Sequence, residues 1–267
     1  MRSTAVRRTA LAAAAASLVL LVSACGGEGS GGGTKDDTKG KESAAAEPAA
    51  KALTAAELEK VALAQGDVEG HKVAEAGPQD DIAAKDVTTD RAECKPFAEA
   101  LSGVALGQPG ATVKRSVVSE PAKTADPDKK LEDMTEEEVD DALAGAFDIT
   151  ATMTTLSSYA DKGATEAVAE LKAAATDCAD GFTMTMDGTE QKILKMSEGK
   201  VTGGDEAVAW NVTAEHDGDQ MPMSLAVVRK GGTTASFSSY NLAPVTDKKV
   251  GTVLPTAVIA AQAAKLG

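Results

Sequence analysis

The chain of 267 residues has few of the residue types that carry enzyme chemistry or fill large cores. Phe, Trp and Tyr together make up 3% of it, and it contains two histidines and three cysteines. The motifs Gly-x-Ser-x-Gly, His-Glu-x-x-His and Gly-x₄-Gly-Lys-[Ser/Thr] are absent, so common hydrolase, metalloprotease and P-loop signatures are missing. His71 and His216 each lie in a polar stretch typical of solvated loops. We therefore predict a protein that is not an enzyme and needs no cofactor.

Positive charge is also scarce. The formal net charge of the whole chain is −14, and without residues 1–24 the remainder has 24 basic and 41 acidic residues, or −17. Nucleic acids and anionic lipid headgroups both favour clustered Lys and Arg. We therefore expect no nucleic-acid partner and no electrostatic attachment to a membrane.

The longest apolar run lies near the N-terminus and spans only 13 residues, from Ala10 to Val22. A membrane-spanning helix needs about 20 residues. Arg2, Arg7 and Arg8 precede the run and small residues follow it, which is the order of a secretory signal peptide. We interpret residues 1–24 as such a signal.

The run ends in Leu21-Val22-Ser23-Ala24-Cys25, which resembles the lipobox of bacterial lipoproteins except that the leucine lies four residues before the cysteine instead of three. The resemblance implies that Cys25 becomes the lipid-modified first residue of the mature protein. It also implies that a lipid on Cys25 holds the chain on the outer face of the cytoplasmic membrane. Two or more acyl chains give stable anchoring, whereas one gives only marginal binding.

Residues 26–50 contain no aliphatic residue larger than alanine, so they cannot form a core. We interpret 25–50 as a lipidated cysteine with a Gly/Ser/Ala-rich disordered tether, about 25–30 Å from end to end. Residues 51–267 have apolar positions throughout, and their length suits a single domain.

The periodicity of residues 51–267 predicts helices and short strands joined by turns that contain glycine. Such short turns require antiparallel pairing. We predict an α+β fold, in which helices pack against an antiparallel sheet. The predicted helices are Thr54–Ala64, Arg91–Leu101, Thr165–Cys178 and Val253–Leu266. The predicted strands are a short edge strand at Lys72–Ala74, then Thr112–Ser119, Ala146–Ser157, Phe182–Asp187, Gln191–Met196, Asp205–Glu215, Met223–Arg229 and Thr233–Asn241. We interpret Pro121–Glu138 as a charged, turn-forming segment.

Several short motifs within residues 51–267 resemble the extracellular sensor domain of PknH-type receptor Ser/Thr kinases. They are Leu53-Thr-Ala-Ala-Glu-Leu58, Cys94-Lys-Pro-Phe-Ala-Glu-Ala-Leu101, Ser158-Tyr159, Leu171-x₆-Cys178-x₃-Phe182, Gly204-Asp-Glu-Ala207, Val227-Val-Arg-Lys-Gly231 and Ala261-Gln-Ala-Ala-Lys-Leu266. The resemblance implies a non-enzymatic sensor domain. PknH-type domains have two disulfides whereas this chain can form one, so their cleft geometry is not transferred. A lipoprotein group with a Mog1/PsbP-like sandwich is a second possible match.

If Cys25 is lipidated, Cys94 and Cys178 remain as a pair in an oxidising compartment. We expect a disulfide between them, joining the second and third predicted helices. Two buried free thiols or a reactive pair are the alternatives, although Cys-x-x-Cys spacing is absent.

The methionines form two same-face pairs on predicted strands, Met184 with Met186 and Met221 with Met223. Thioethers so spaced are candidate Cu(I) ligands outside the cytoplasm. The interpretation that we favour is that methionine fills gaps in a core that is short of aromatic residues. We therefore predict no metal site.

Three functional classes follow from these features. The first is a membrane-tethered sensor that binds an unidentified ligand or envelope protein. The second is an extracytoplasmic carrier of Cu(I) or a small apolar ligand, which requires a large apolar pocket or converging thioethers. The third is an accessory subunit of a membrane complex, which requires an exposed apolar patch.

Overall fold

A computed structural model of the chain describes residues 51–121, 134–242 and 253–267. These residues form a nine-stranded sheet and five α-helices, so the predicted α+β class is confirmed. The helices are α1 (Ala55–Val61), α2 (Lys95–Leu101), α3 (Glu136–Phe147), α4 (Gly163–Asp177) and α5 (Thr256–Leu266). The strands are β1 (His71–Glu75), β2 (Val87–Thr89), β3 (Ala111–Ser119), β4 (Thr150–Ser158), β5 (Phe182–Met186), β6 (Thr189–Glu198), β7 (Glu206–His216), β8 (Asp219–Lys230) and β9 (Thr233–Asn241). In the described part of the chain, no helix is both long and apolar enough to cross a membrane.

The strands are arranged in the order β1-β3-β4-β9-β8-β7-β6-β5-β2, and every neighbouring pair is antiparallel. Strands β5 to β9 form a meander because each connection between them is short. The β7–β8 turn contains Asp217 and Gly218, both with positive φ, which suits a tight hairpin turn. The meander places β9 beside β4, and both are inner strands of the sheet.

Alternation along the strands divides the apolar side chains between the two faces of the sheet. On β7 and β8, Trp210 pairs with Leu225 on one face, and Ala209 pairs with Ala226 on the other. The first face packs under α2 and α4, and the second packs under α1 and α5. The sheet therefore has a separate hydrophobic core on each side.

Helix α3 lies where the sequence predicts the end of a turn and the start of a strand. We expected a turn-forming segment up to Glu138 and a strand from Ala146, but α3 occupies 136–147 and β4 begins at Thr150. Thr135 and Glu138 form a capping box, in which the Thr135 hydroxyl accepts from the Glu138 N–H and the Glu138 carboxylate accepts from the Thr135 N–H. In the sequence this Thr-x-x-Glu signal stands among acidic residues that are typical of a solvated loop. The remainder of the expected turn, residues 122–133, lies outside the described residues.

Two further differences concern short elements. The first predicted helix ends at Val61 instead of Ala64, although its capping box between Thr54 and Glu57 is present. Strand β2 was not predicted, because three residues are too few for a periodic pattern to stand out. It pairs with β5 and forms one edge of the described sheet.

Candidate functional site

A small open cleft lies on the α1/α5 side of the sheet, where β1, β3 and β4 meet the start of α5. Its volume is about 210 Å³. His71, Ser119 and Thr150 line it from the strands, and residues 253–257 line it from the other side. The register explains this grouping, because His71 is paired with Ser119 and β3 and β4 continue the same row.

The backbone fixes the tautomer of His71. Its Nδ1 lies 2.8 Å from the carbonyl oxygen of Glu69. A carbonyl can only accept, so Nδ1 carries the proton and Nε2 of the neutral ring is left as an acceptor. His71 can therefore offer a lone pair to a ligand at the edge of the cleft.

The two hydroxyls of the cleft are held by neighbouring groups. The Ser119 hydroxyl accepts a hydrogen bond from the Thr150 N–H (2.8 Å). The Thr150 hydroxyl accepts from the Asn241 amide (3.1 Å), which also donates to Asp148 (2.8 Å). Among the described residues, no hydrogen bond links His71 to a hydroxyl or a carboxylate, so the arrangement lacks the base–nucleophile contact of a catalytic dyad.

The start of α5 forms the other wall of the cleft, and the sheet fixes its position. The hydroxyl of Ser224 is fully buried and donates to the carbonyl of Val253 (3.0 Å). Drug-sized pockets generally occupy about 300–1,000 Å³. The cleft can hold a few waters or a small hydrogen-bonding molecule, and it is too small for a large apolar ligand.

The second histidine does not join this cleft. His216 ends β7, five strand positions from β1, which at about 4.8 Å per strand is roughly 24 Å across the sheet. Its Nδ1 lies 3.1 Å from the Glu190 carbonyl. The described residues contain no group of three or more His, Cys, Asp or Glu side chains arranged to hold a metal ion.

Cys94 and Cys178 form the disulfide expected from the sequence. Cys94 precedes α2 and Cys178 follows α4, so the bond joins the two helices that cover one face of the sheet. Both cysteines are fully buried. Cys25 lies outside the described residues.

The two methionine pairs lie on the α2/α4 face and belong to one core. Met184 is 2% exposed and Met223 is 9% exposed, while Met186 and Met221 pack against the same cluster. The pairs occupy β5 and β8, with β6 and β7 between them. Three strand spacings separate the two backbones by about 14 Å. The structure therefore does not place the four thioethers on neighbouring strands.

Exposed large apolar side chains collect at the end of the sheet where β4 begins and β9 ends. Phe147 is 49% exposed, Tyr240 39% and Leu242 52%. The backbone holds them near one another, because the Leu242 N–H donates to the Ile149 carbonyl and the Ile149 N–H donates to the Phe147 carbonyl. We call Phe147, Tyr240 and Leu242 the apolar end.

Several buried polar contacts could not be read from periodicity. Gln262 is 0% exposed, and its amide bonds the Val61 carbonyl (2.7 Å) and the Leu63 N–H (3.2 Å). The Arg115 guanidinium donates to the Leu63 carbonyl (3.1 Å) and to Glu59. These contacts fasten the end of α1 to α5 and β3. A glutamine on the apolar stripe of a predicted helix is the signal that was present in the sequence.

A second group of polar contacts explains two motifs in the meander. The Asp205 carboxylate accepts from the Gly231 N–H (2.7 Å) and pairs with Lys230 (3.3 Å) and Arg229 (3.7 Å). These contacts lower the pKa of Asp205, and the bond from Gly231 contributes most. Gly204 has φ +60, and an added Cβ would lie 2.3 Å from the Arg229 carbonyl oxygen. The motifs Gly204-Asp-Glu-Ala207 and Val227-Val-Arg-Lys-Gly231 are therefore structural.

No protein-family model matches the chain, and no curated protein matches it. The extracellular domain of PknH from Mycobacterium tuberculosis is similar in structure. Its TM-score is 0.44 at 11% identity, and the match covers 81% of this chain and 97% of that domain. A putative uncharacterized protein from Mycobacterium smegmatis gives a TM-score of 0.36 at 12% identity, covering 74% of this chain and 90% of the other.

Proposed function

We propose that the chain is a lipoprotein held on the outer face of the cytoplasmic membrane by a lipid on Cys25, and that its folded part binds a ligand or partner without catalysis. The observation that carries the proposal is the use of cysteine. The chain has three cysteines, of which two form a buried disulfide. The third stands at the end of a sequence that resembles a lipobox, directly after an apolar run of signal-peptide length.

The disulfide supports an extracytoplasmic location because such bonds persist mainly in oxidising compartments. The resemblance of the sequence motifs to PknH-type sensor domains supports a sensing role. The cleft beside His71 supports binding rather than catalysis, because no hydrogen bond among the described residues links the His71 ring to the hydroxyl of Ser119 or Thr150.

The test is metabolic labelling with palmitate of cells that express the full chain. We expect label in the wild-type protein and none in Cys25→Ser. The matched control Cys94→Ser/Cys178→Ser should carry the wild-type amount of label per molecule of protein. We also expect wild-type protein in the membrane fraction and Cys25→Ser in the soluble extracytoplasmic fraction. An unlabelled wild-type chain, or one recovered from the cytosol with residues 1–24 intact, would contradict the proposal.

The apolar end favours a second candidate, an accessory subunit that docks on a membrane protein. Exposed apolar residues gathered in one place are typical of interaction surfaces, and Phe147, Tyr240 and Leu242 are each more than a third exposed. Phe147→Ser/Leu242→Ser would abolish such docking and leave palmitate labelling intact. Unchanged co-purification of the partner by that variant would exclude this surface.

The carrier alternative has less support. The cleft is small, and the methionine pairs stand on strands separated by two others. Titration of the purified full chain with Cu(I) in the presence of a chromogenic chelator would test the metal version. Absence of competition with the chelator would exclude it.

A further inference from the structure

Strand β1 forms an edge of the sheet among the described strands. The side of β1 that faces away from β3 is contacted by the side chain of Gln65. The Ala76 N–H donates to the Lys114 carbonyl and the Glu120 N–H donates to the Gly70 carbonyl. These bonds show that even-numbered residues of this segment bond to β3. The backbone groups of His71, Val73 and Glu75 therefore point away from the sheet, because bonded and unbonded residues alternate along an antiparallel edge.

The side chain of Gln65 occupies part of that free edge. Its Nε2 donates to the His71 carbonyl (3.2 Å), and its Oε1 accepts from the Val73 N–H (2.8 Å). A carboxamide that bonds an alternate carbonyl and N–H in this way occupies the position of a peptide group in a neighbouring strand. Gln65 itself is exposed and lies in the loop after α1, so its side chain can rotate into solvent.

The free edge of β1 is complementary to itself. In an antiparallel pairing centred on Val73, His71 of one copy lies opposite Glu75 of the other, and each Val73 lies opposite its equivalent. All three residues then exchange both backbone hydrogen bonds, giving six bonds between the copies. Lys72 lies opposite Ala74, so no like charges stand directly opposite, an arrangement that would be destabilising.

The charges on β1 do not oppose the approach of a second copy of this chain. β1 is His-Lys-Val-Ala-Glu, with one lysine and one glutamate, so the strand is close to neutral. The whole chain by contrast has a net charge of −14. The side chains of β1 therefore add no net negative charge at the edge where pairing would occur.

We propose that β1 is the docking edge for a second copy of the chain, and that the Gln65 carboxamide competes with that copy for the edge. Rotation of Gln65 releases the His71 carbonyl and the Val73 N–H, and the two sheets then join across their β1 strands. The Gln65 side chain thereby restricts pairing between the β1 strands of two copies, as edge-protecting features generally do. The proposal goes beyond membrane anchoring and does not depend on the lipid.

The test is site-directed cross-linking in the full chain. Lys72 and Ala74 are exposed, and opposite residues that do not exchange hydrogen bonds have Cα atoms about 4.5 Å apart, within the range of roughly 4.4–6.8 Å for disulfides. We expect co-expressed Lys72→Cys and Ala74→Cys chains to form a mixed disulfide dimer under mild oxidation. Each variant expressed alone should form little, because residue 72 lies opposite residue 74 and not opposite itself.

Adding Gln65→Ala to both chains should raise the initial rate of cross-linking about tenfold or more. Each net hydrogen bond that is removed corresponds to roughly a two- to tenfold factor, and each copy loses two. Val73→Pro in the same background should abolish the dimer, because it removes an N–H that points away from β3 and leaves the β1–β3 ladder intact. Val73 belongs to the buried core, so its midpoint should fall, and a single cooperative thermal transition in each variant verifies that it is folded.

The proposal is overturned if the mixture gives no dimer in the Gln65→Ala background. It is equally overturned if the single variants cross-link as fast as the mixture, which would indicate random collision. A rate that Gln65→Ala leaves unchanged refutes the competition by Gln65. Palmitate labelling of the same cells reports the anchor separately, so failure of one proposal is distinguishable from failure of the other.

Discussion

Replacing Gln262 by leucine tests how the end of α1 is held in place. Gln262 is fully buried, and its amide bonds two backbone groups just where α1 ends, the Val61 carbonyl and the Leu63 N–H. The last carbonyls of a helix have no partner within that helix, and α1 has only seven residues. The glutamine therefore supplies hydrogen bonds that water would supply at an exposed helix end.

Gln262→Leu keeps most of the side-chain volume and removes both hydrogen bonds. A buried backbone group left without a partner costs about 1–3 kcal/mol, so two such groups give a loss of about 2–6 kcal/mol in the free energy of unfolding. Urea denaturation followed by the fluorescence of Trp210 would measure it. The matched control is Ala264→Leu, at an exposed position two residues along α5, for which we expect a change below about 0.5 kcal/mol.

Gln262→Glu adds a dependence on pH. The carboxylate can still accept from the Leu63 N–H, but it faces the Val61 carbonyl, and burial opposes its charge. Both effects raise the pKa of the introduced carboxyl in the folded state. The deficit relative to the wild type should therefore shrink as pH falls through the raised folded pKa, and be smallest below the unfolded value of about 4.3. A Gln262→Leu variant whose free energy of unfolding lies within 0.5 kcal/mol of the wild-type value would refute the role assigned to the Gln262 hydrogen bonds.

Three further outcomes follow from the contacts. Cys94→Ala/Cys178→Ala opens a loop with a sequence separation of 84, so the free energy of unfolding should fall by about 4–5 kcal/mol; a native mass equal to that of the reduced chain would contradict the disulfide itself. Tyr159→Phe removes a buried hydroxyl that donates to a main-chain carbonyl (2.6 Å), so urea denaturation should show a loss of about 1–3 kcal/mol. The pKa values of Asp205 and Asp67 are lowered in the folded state. Their stabilisation is present above the unfolded pKa of about 3.9 and is lost as pH falls through the lower folded values; Asp205→Asn should therefore lose less thermal stability than the wild type between pH 5 and 2, and parallel curves would contradict this.

The sequence was most informative where the periodic pattern was long. The strands of the meander and α4 lie within a few residues of their predicted bounds, because alternation on β7 and a helical stripe on α4 both extend over ten residues or more. Helix α3 was missed since its first turn is Glu-Glu-Glu, which resembles a solvated acidic loop in a chain with 41 acidic residues. Strand β2 has three residues and derives its structure from pairing with β5.

The candidate site was much less predictable than the fold. With Cys25 assigned to the lipid, only two of the three cysteines remain, which is enough to expect the bond between Cys94 and Cys178. The polar neighbours of His71 predict a loop residue, whereas His71 begins β1 and lines the cleft. The grouping of His71 with Ser119 depends on the register between β1 and β3, which local patterns do not specify. The role of Gln65 depends on the same register, together with the path of the loop after α1.

The scarcity of aromatic residues is linked to how the layers are fixed. The inner strands β4 and β9 carry buried hydroxyls where larger side chains would otherwise pack. Several of them donate to main-chain carbonyls of the segments above: Thr155 to Gly103 (2.9 Å), Ser238 to Leu101, and on the neighbouring strand Ser224 to Val253 (3.0 Å). Such bonds are directional, so they set where α2 ends and where α5 begins, whereas apolar contact alone permits sliding. The cleft beside His71 therefore owes its shape to the strand hydroxyl of Ser224, which holds the start of α5 opposite the strand ends.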